Sequence, residues 1–238
     1  MLYVEPVAYS VAVGRERELM SASIDQQDGL EKLSRQARRS AVLARILVAA
    51  ESIFAESGLE GATMAAVAAA AQVPKANLHY YFATKEGLYA AVLENILTFL
   101  LGAADHIQAD AEPYAALTHY IRAKMTISRT RALASKVFAN EIIHGAPHAK
   151  VYLSDTLRRR VDEKAEIING WIAKGLIDPV DPRHLLFLLW SMTQTYADFA
   201  VQISRVLGKD SLSDADFDAG EALIIKMTLK GCGVRADI

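Results

Sequence analysis

The run TMAAVAAAAQVPKANLHYYFATKEGLY, residues 63–89, constrains this chain most. Thr63 is a good N-cap, because its hydroxyl can accept from a backbone N–H that a helix start leaves orphaned, and a short alanine-rich helix follows. Gln72-Val73-Pro74 reads as a tight turn, with Pro74 in the first turn of the next helix, where a missing N–H costs nothing. That second helix carries Lys75, Asn77, His79, Tyr80 and Tyr81, groups that meet phosphates or base edges, while Leu78 and Phe82 belong to a core. Thr84 caps a third, long helix that runs to about Ala104. Two short helices about a tight turn, the second rich in hydrogen-bonding groups, form the layout of a helix-turn-helix whose second helix enters a DNA major groove. Packing is the rival use: Tyr80 or Tyr81 against the long helix, Lys75 simply solvated. So many polar and aromatic groups on so short a helix exceed what packing needs.

Charge agrees with this reading. Residues 35–85 hold Arg35, Arg38, Arg39, Arg45, Lys75 and Lys85 against Glu51, Glu56 and Glu60, a local positive surplus in a chain whose formal net charge is −2. A basic patch on an acidic body fits a protein that meets phosphates at one end only, and it argues against a polybasic nucleic-acid coat. The 238 residues are enough for a real core, and the single cysteine, Cys232, excludes an internal disulfide. The apolar run Leu185 to Trp190 is far below the roughly 20 residues a bilayer needs. The expectations are no membrane span and a cytoplasmic location.

The rest of the chain is helical in pattern, with no strand-like alternation and no internal repeat. Residues 1–36, with Pro6, Gly14 and a polar stretch from Ser21 to Asp28, read as a loose extension, and Met20 is an alternative start. Its basic end, Lys32 to Arg39, is either a DNA-contacting arm or a solvated tail. Val42, Leu43, Ile46, Leu47, Ala50, Ile53 and Phe54 repeat at helical spacing, and Gly58 is placed to end that helix. Further helices are expected from Pro113 to Ser128, Ala132 to Ile143, Ala149 to Ala173, Pro182 to Val206 behind Asp181, and Ser213 to Lys230. The class is all-α. The division is an extension (1–36), a helix-turn-helix domain (37–90) and a helical body (91–238).

Catalytic motifs are missing. The chain has no phosphate-cradling glycine loop, no His-Glu-x-x-His, no Gly-x-Ser-x-Gly and no Cys-x-x-Cys, so neither enzyme nor cofactor is expected. His144 and His148 have metal-ligand spacing, but Gly145, Ala146 and Pro147 lie between them and no metal site is expected. The carboxylate pairs Asp110/Glu112 and Asp216/Asp218 stand near helix starts, where acidic residues favour the helix dipole.

Gly61-Ala62-Thr63, the turn at Gln72-Val73-Pro74, and Leu78-His79-Tyr80-Tyr81-Phe82-Ala83-Thr84-Lys85-Glu86-Gly87-Leu88 resemble the TetR-type repressors. A narrower resemblance, to the pyrimidine-utilisation regulators of that family, rests on Asp162-Glu163-Lys164 through Gly170-Trp171, on Ile177 to Pro182, and on Ser191 to Gln202. The chain departs from the usual head at Gln72, where glycine is common, at Pro74, where serine is common, and at His79, where tyrosine is usual. Gln72 must then take a left-handed backbone or reshape the turn.

The resemblance implies an all-α homodimer joined through the last two helices, a double-stranded DNA operator and a small effector such as uracil, thymine or a breakdown product. By it, Lys75, Ala76 and Asn77 face the groove, His79, Tyr80, Tyr81 and Lys85 touch phosphates, Thr63 anchors the first short helix, and Arg38 and Arg39 add backbone contacts. It places the effector among the helices of the body, with Trp171, Phe138 and Tyr196 as apolar walls and Lys124, Asn140, Glu141 and Gln194 as polar edges. Trp190 is a further candidate wall with ordinary core as its stronger alternative, and Gln194 and Tyr196 have a dimer-seam alternative. Other readings are a regulator for another effector, such as a drug or a fatty acyl compound, and a helical binding or enzymatic domain with the helix-turn-helix as mere scaffold.

Overall fold

The computed structural model describes residues 36–234, all of whose regular elements are helical. The extension, with Met20, Lys32 and Arg35, lies outside the described residues. The chain divides into two compact units, residues 1–46 and 47–238. The described part of the first unit, residues 36–46, is helical and exposes Arg38, Arg39 and Arg45.

Residues 36–61 are helical (α1) and Gly58 takes φ +66°, marking where the regular helix gives way to a last turn. The elements α2 (Met64–Ala70), α3 (Lys75–Tyr81) and α4 (Lys85–Gly102) follow, α4 continuing as a 3-10 turn, Ala103–His106. Ala50, Phe54, Val67, Leu78 and Leu88 are buried, and Phe54 meets Tyr89 edge to face at 4.9 Å between centroids. Phe82, expected in the core, is only half-buried. It is the C-cap of α3, where an extended backbone turns the chain toward α4.

The body contains α5 (Pro113–Thr130), α6 (Ala132–Ile143), α7 (Lys150–Tyr152), a π-helical segment (Leu153–Leu157), α8 (Arg158–Ala173), α9 (Pro182–Asp198), α10 (Ala200–Val206) and α11 (Asp214–Gly231). Its core gathers Leu117, Ile121, Met125, Ile168, Trp171, Leu189 and Ile224. Two expected helices are interrupted. The wide π turn breaks the 149–173 helix, and Phe199 (φ −113°, ψ 25°) breaks the 182–206 helix into α9 and α10. One member of each acidic pair caps a helix, while Asp218 pairs with Arg129. Glu112 accepts from the backbone N–H of Tyr114 and Ala115, and Asp216 completes a capping box with Ser213. Lys209 and these Ser213 bonds hold the Asp216 carboxyl at about 2.

Residues Lys85–His106 have the length and mean hydropathy (1.5) of a membrane-crossing helix, which no short apolar run foretold. In this fold Leu88, Tyr89, Val92, Leu93, Ile96 and Leu97 of that stretch are buried. The hydropathy therefore matches a helix that packs along its length against other protein.

Candidate functional site

Two surfaces carry the chemistry. The first is the outer side of α2, the turn and α3. Thr63 Oγ1 accepts from Ala66 N at 3.1 Å, and Thr84 Oγ1 accepts from Gly87 N at 3.0 Å, so both threonines cap as their positions imply. Gln72 has φ +54°, a left-handed conformation that lets the turn keep its shape without glycine. Pro74 sits one residue earlier than expected, as the N-cap of α3 (φ −57°, ψ 141°), and caps with its backbone alone. Its carbonyl accepts from Asn77 N and Leu78 N.

Only Leu78 of α3 is buried, which leaves Lys75, Ala76, Asn77, His79 and Tyr80 exposed. Tyr80 is 75 % exposed and its ring stands edge-on to half-buried Tyr81 at 5.4 Å. At that exposure Tyr80 does not pack into the core, and the ring contact it makes is with Tyr81. Lys85 donates to the Glu60 carbonyl at 3.2 Å, satisfying an orphan acceptor at the end of α1. It anchors the α4 start as well as carrying charge.

The second site is a cavity of about 80 Å³ within the body. Leu97, Leu100, Leu101 and Ala104 line it from α4 and its 3-10 extension, Tyr120 and Lys124 from α5, and Phe138 from α6. Leu157, Arg160, Val161 and Lys164 close it from the π segment and α8, Leu186, Trp190 and Gln194 from α9. Trp190 Nε1 donates to the Tyr120 hydroxyl at 2.7 Å. Lys124 Nζ reaches Gln194 Oε1 at 3.5 Å. Burial pulls the Lys124 ammonium down to about 8, and the Asp198 charge partly opposes that shift. A wider, open groove lies outside, sharing Phe138, Leu157, Trp190 and Gln194 with the cavity and adding Asn140, Ile143, Asp198 and Phe199.

Of the expected effector residues, Lys124, Phe138 and Gln194 meet at the cavity, and Asn140 lines only the outer groove. Three go elsewhere. Trp171 is 1 % exposed inside the core, its indole N–H without a hydrogen-bond partner. Tyr196 lies between α9 and α11, with Gly220 directly beneath its ring and Phe217 beside it. Glu141 is buried and fully committed. It accepts from the Tyr89 hydroxyl (3.1 Å), His148 N (2.6 Å) and Ala149 N (3.0 Å), tying α4 to the α6–α7 connection. His144 turns instead to the Asn140 carbonyl.

The polar cavity residues not expected from the sequence are Tyr120, Arg160 and Lys164, and Trp190 lines the cavity as a candidate wall despite its core alternative. A signal existed. Tyr120/Lys124, Arg160/Lys164 and Trp190/Gln194 are each four residues apart, polar groups stacked on one helix face that is otherwise apolar.

The exposed large apolar side chains include Phe187 and Leu188 on α9 and Leu223 and Met227 on α11. Leu188 and Met227 line one surface groove between the two helices, and exposed apolar residues so placed mark a candidate association surface.

Comparison with known proteins agrees with this layout. Residues 46–92 match the model of bacterial regulatory proteins of the tetR family, and residues 93–235 match the C-terminal region of YcdC-like proteins. The HTH-type transcriptional regulator RutR of Escherichia coli (strain K12) is 38 % identical over 186 residues, covering 78 % of this chain and 88 % of that protein. Among solved structures, a transcriptional regulator from Streptomyces coelicolor, SCO4942, superposes with a TM-score of 0.63 at 24 % identity, over 81 % of this chain and 98 % of that one. AibR, solved with isovaleryl coenzyme A and operator DNA, gives 0.61 at 20 % identity, over 78 % and 97 %. A helix-turn-helix of these dimensions, a body with an internal cavity and two matched family models lead to one conclusion: the chain belongs to the TetR family of ligand-responsive, DNA-binding transcription regulators.

Proposed function

We propose that this regulator represses genes of pyrimidine or nitrogen metabolism and leaves its operator when a small pyrimidine-like effector fills the cavity between α4, α5, α8 and α9. The observation that carries this reading is the cavity itself. It has room for about one small ring, apolar walls that are mostly aliphatic with the Phe138 and Trp190 rings among them, and a polar end at Tyr120, Lys124 and Gln194. The 38 % identity to RutR over most of both chains supports the same effector class. The cavity alone, about 80 Å³, suits a small ring, and a longer ligand would have to extend into the outer groove that shares Phe138, Leu157, Trp190 and Gln194 with it.

In this reading residues 37–90 bind the operator and residues 91–238 bind the effector and the second subunit, and the protein works in the cytoplasm, where the chromosome lies. Lys75, Ala76 and Asn77 face the groove, His79, Tyr80, Tyr81 and Lys85 meet phosphates, and Thr63, Arg38 and Arg39 add backbone contacts. The Trp190–Tyr120 pair, Phe138, Lys124 and Gln194 hold the effector. The exposed faces of α9 and α11 pair across a two-fold axis, which sets the spacing of the two α3 helices. Helix α4 runs from the α3 turn to the cavity wall, so an effector that prefers one position of α4 changes that spacing.

The test is a thermal-shift panel with uracil, thymine, dihydrouracil and the acids derived from pyrimidines, beside an operator gel-shift in increasing salt. A raised Tm and a released operator are expected from at least one of them. Stabilisation by none of these compounds, neutral or acid, discards the pyrimidine class, and a complex insensitive to salt and sequence discards operator binding.

A further inference from the structure

The polar groups of the cavity are almost all donors. Among the described residues its lining includes Lys124, Arg160 and Lys164 and no aspartate or glutamate. Two of these cations have partners. Lys164 Nζ donates to the Ile107 carbonyl at 2.8 Å. Arg160 pairs with Asp105 at 3.4 Å and Glu163 at 3.6 Å and is partly exposed. Lys124 differs from both. It is 3 % exposed and has three N–H donors, yet among the described residues its one hydrogen-bond partner is Gln194 Oε1, at the long limit of 3.5 Å. Asp198 attracts it at a distance, but that carboxylate accepts from Ser135 Oγ at 2.5 Å and lines the outer groove, not the cavity. Tyr120 spends a lone pair on the Trp190 N–H, so its own hydroxyl proton remains for a bound oxygen. A desolvated cation without a contacting counter-ion is costly to keep, and a ligand that supplies the counter-ion recovers that cost.

We infer that the effector enters the cavity as an anion, a carboxylate of at most one-ring size, and that Lys124 is its counter-ion with Tyr120 and Gln194 as the neighbouring hydrogen-bond partners. This rests on the cavity being the effector site and narrows the pyrimidine class to its acids, whether a ring carboxylate or a ring-opened ureido acid. The aliphatic walls from α4, α8 and α9 take the body of the ligand. The acid group lies at the α5–α9 end. Anion binding needs the charged form of Lys124. The other ionisable groups around that form are Tyr120 on its own helix, Asp198 at the end of α9, and Arg160 and Lys164 on α8.

The experiment uses the full chain with matched acid and neutral pairs: orotate against uracil, N-carbamoyl-β-alanine against dihydrouracil, and benzoate against benzamide as a pair outside the pyrimidines. Thermal shift and operator anisotropy are read for each. At least one acid should raise Tm and weaken operator binding by at least about tenfold while its neutral partner does neither. Affinity for that acid should fall as pH rises from about 7 to 9.5, because Lys124 loses its proton in that range. K124M and K124Q should lose the acid response and keep operator binding, which shows that they fold, and K124R should keep part of it. Uracil binding as tightly as orotate overturns the anion and leaves the pyrimidine reading standing. A response to benzoate alone sinks the pyrimidine reading and keeps the anion. Silence from every acid, or an acid response that survives in K124M, overturns the inference.

Discussion

Lys75 and Lys124 carry the same charge in opposite surroundings. Lys75 opens α3 in full contact with water, while Lys124 lies in the middle of α5 at 3 % exposure. A hydrated lysine gains little from any one partner, and its attraction for a polyanion comes largely from the release of counter-ions, so it is screened by salt. A desolvated lysine has already borne the cost of leaving water, so a single matched ligand collects the full benefit. The first arrangement suits a surface that must find and leave DNA. The second suits a cavity that must tell one small molecule from another.

Breaking the link between these two regions should have the largest effect. Glu141 holds Tyr89 of α4 and two backbone N–H groups of the following connection from a buried position. Glu141→Ala leaves those donors unpaired and should cost about 3 kcal/mol, seen as a lower urea midpoint. The same variant should answer its effector poorly, because α4 is no longer held to the body. A loss under about 1 kcal/mol would mean that water replaces the carboxylate and that the tie is dispensable.

Lys124→Met tests the opposite sign. Burial holds the folded-state value near 8 against 10.5 for an unperturbed lysine. The unfolded chain therefore binds more protons between those values, and the apo protein should gain stability as pH rises through that window. Tyr89 and Tyr120 are both pushed up by burial from 10, so their ionisation in the unfolded chain erodes stability above pH 10. The clean range is thus pH 8 to 10. Without ligand, Lys124→Met should be more stable at neutral pH by about 2–3 kcal/mol, and the gap should close across that range. A less stable variant at pH 7 would show that the Asp198 attraction outweighs desolvation, so that the cavity holds a balanced ion pair.

The head and the cavity were not equally legible. Helix α3 needs seven contiguous residues, and its caps, turn and outward groups follow one another along the chain. Caps at Thr63, Thr84 and Asp181 were readable because a cap acts within three residues of itself. The cavity draws on residues from Leu97 to Gln194, and no local pattern says which apolar faces will meet. Trp171 and Trp190 show the difficulty. Both sit in helical, largely apolar surroundings, yet the first fills the core and the second turns its N–H to Tyr120 on the cavity wall. Helical periodicity gives the face of a helix but not its neighbour. The breaks at Leu153–Leu157 and Phe199 escaped for a related reason, since neither has a proline or glycine within it to mark the change.

Within the head, Asn77 and Lys75 separate base reading from phosphate contact. Asn77→Ala should cost about 1–3 kcal/mol of operator affinity and relax selectivity at one position if its amide meets a base edge. Lys75→Ala should weaken all sequences alike and lower the salt slope by about 1 if its ammonium meets a phosphate. Anisotropy titrations across a salt series, on the operator and on a scrambled duplex, read both. An Asn77→Ala loss that is equal on both duplexes would move Asn77 to the phosphate class.

The smallest effect concerns the turn. Gln72 holds φ +54°, where a side chain crowds the backbone and glycine does not. Gln72→Gly removes that strain but gives the unfolded chain more freedom, so the two terms partly cancel. The expected net gain is about 0.5–1 kcal/mol, or a rise in Tm of a few degrees by calorimetry. Gln72 is exposed, and its side chain leaves the turn beside the start of α3. If the residue is kept only for the turn, the glycine variant binds the operator with unchanged affinity and selectivity. If selectivity changes while Tm rises, the strain is held in exchange for a contact with DNA. The helix-turn-helix would then share with Lys124 a group kept at a cost until its ligand arrives.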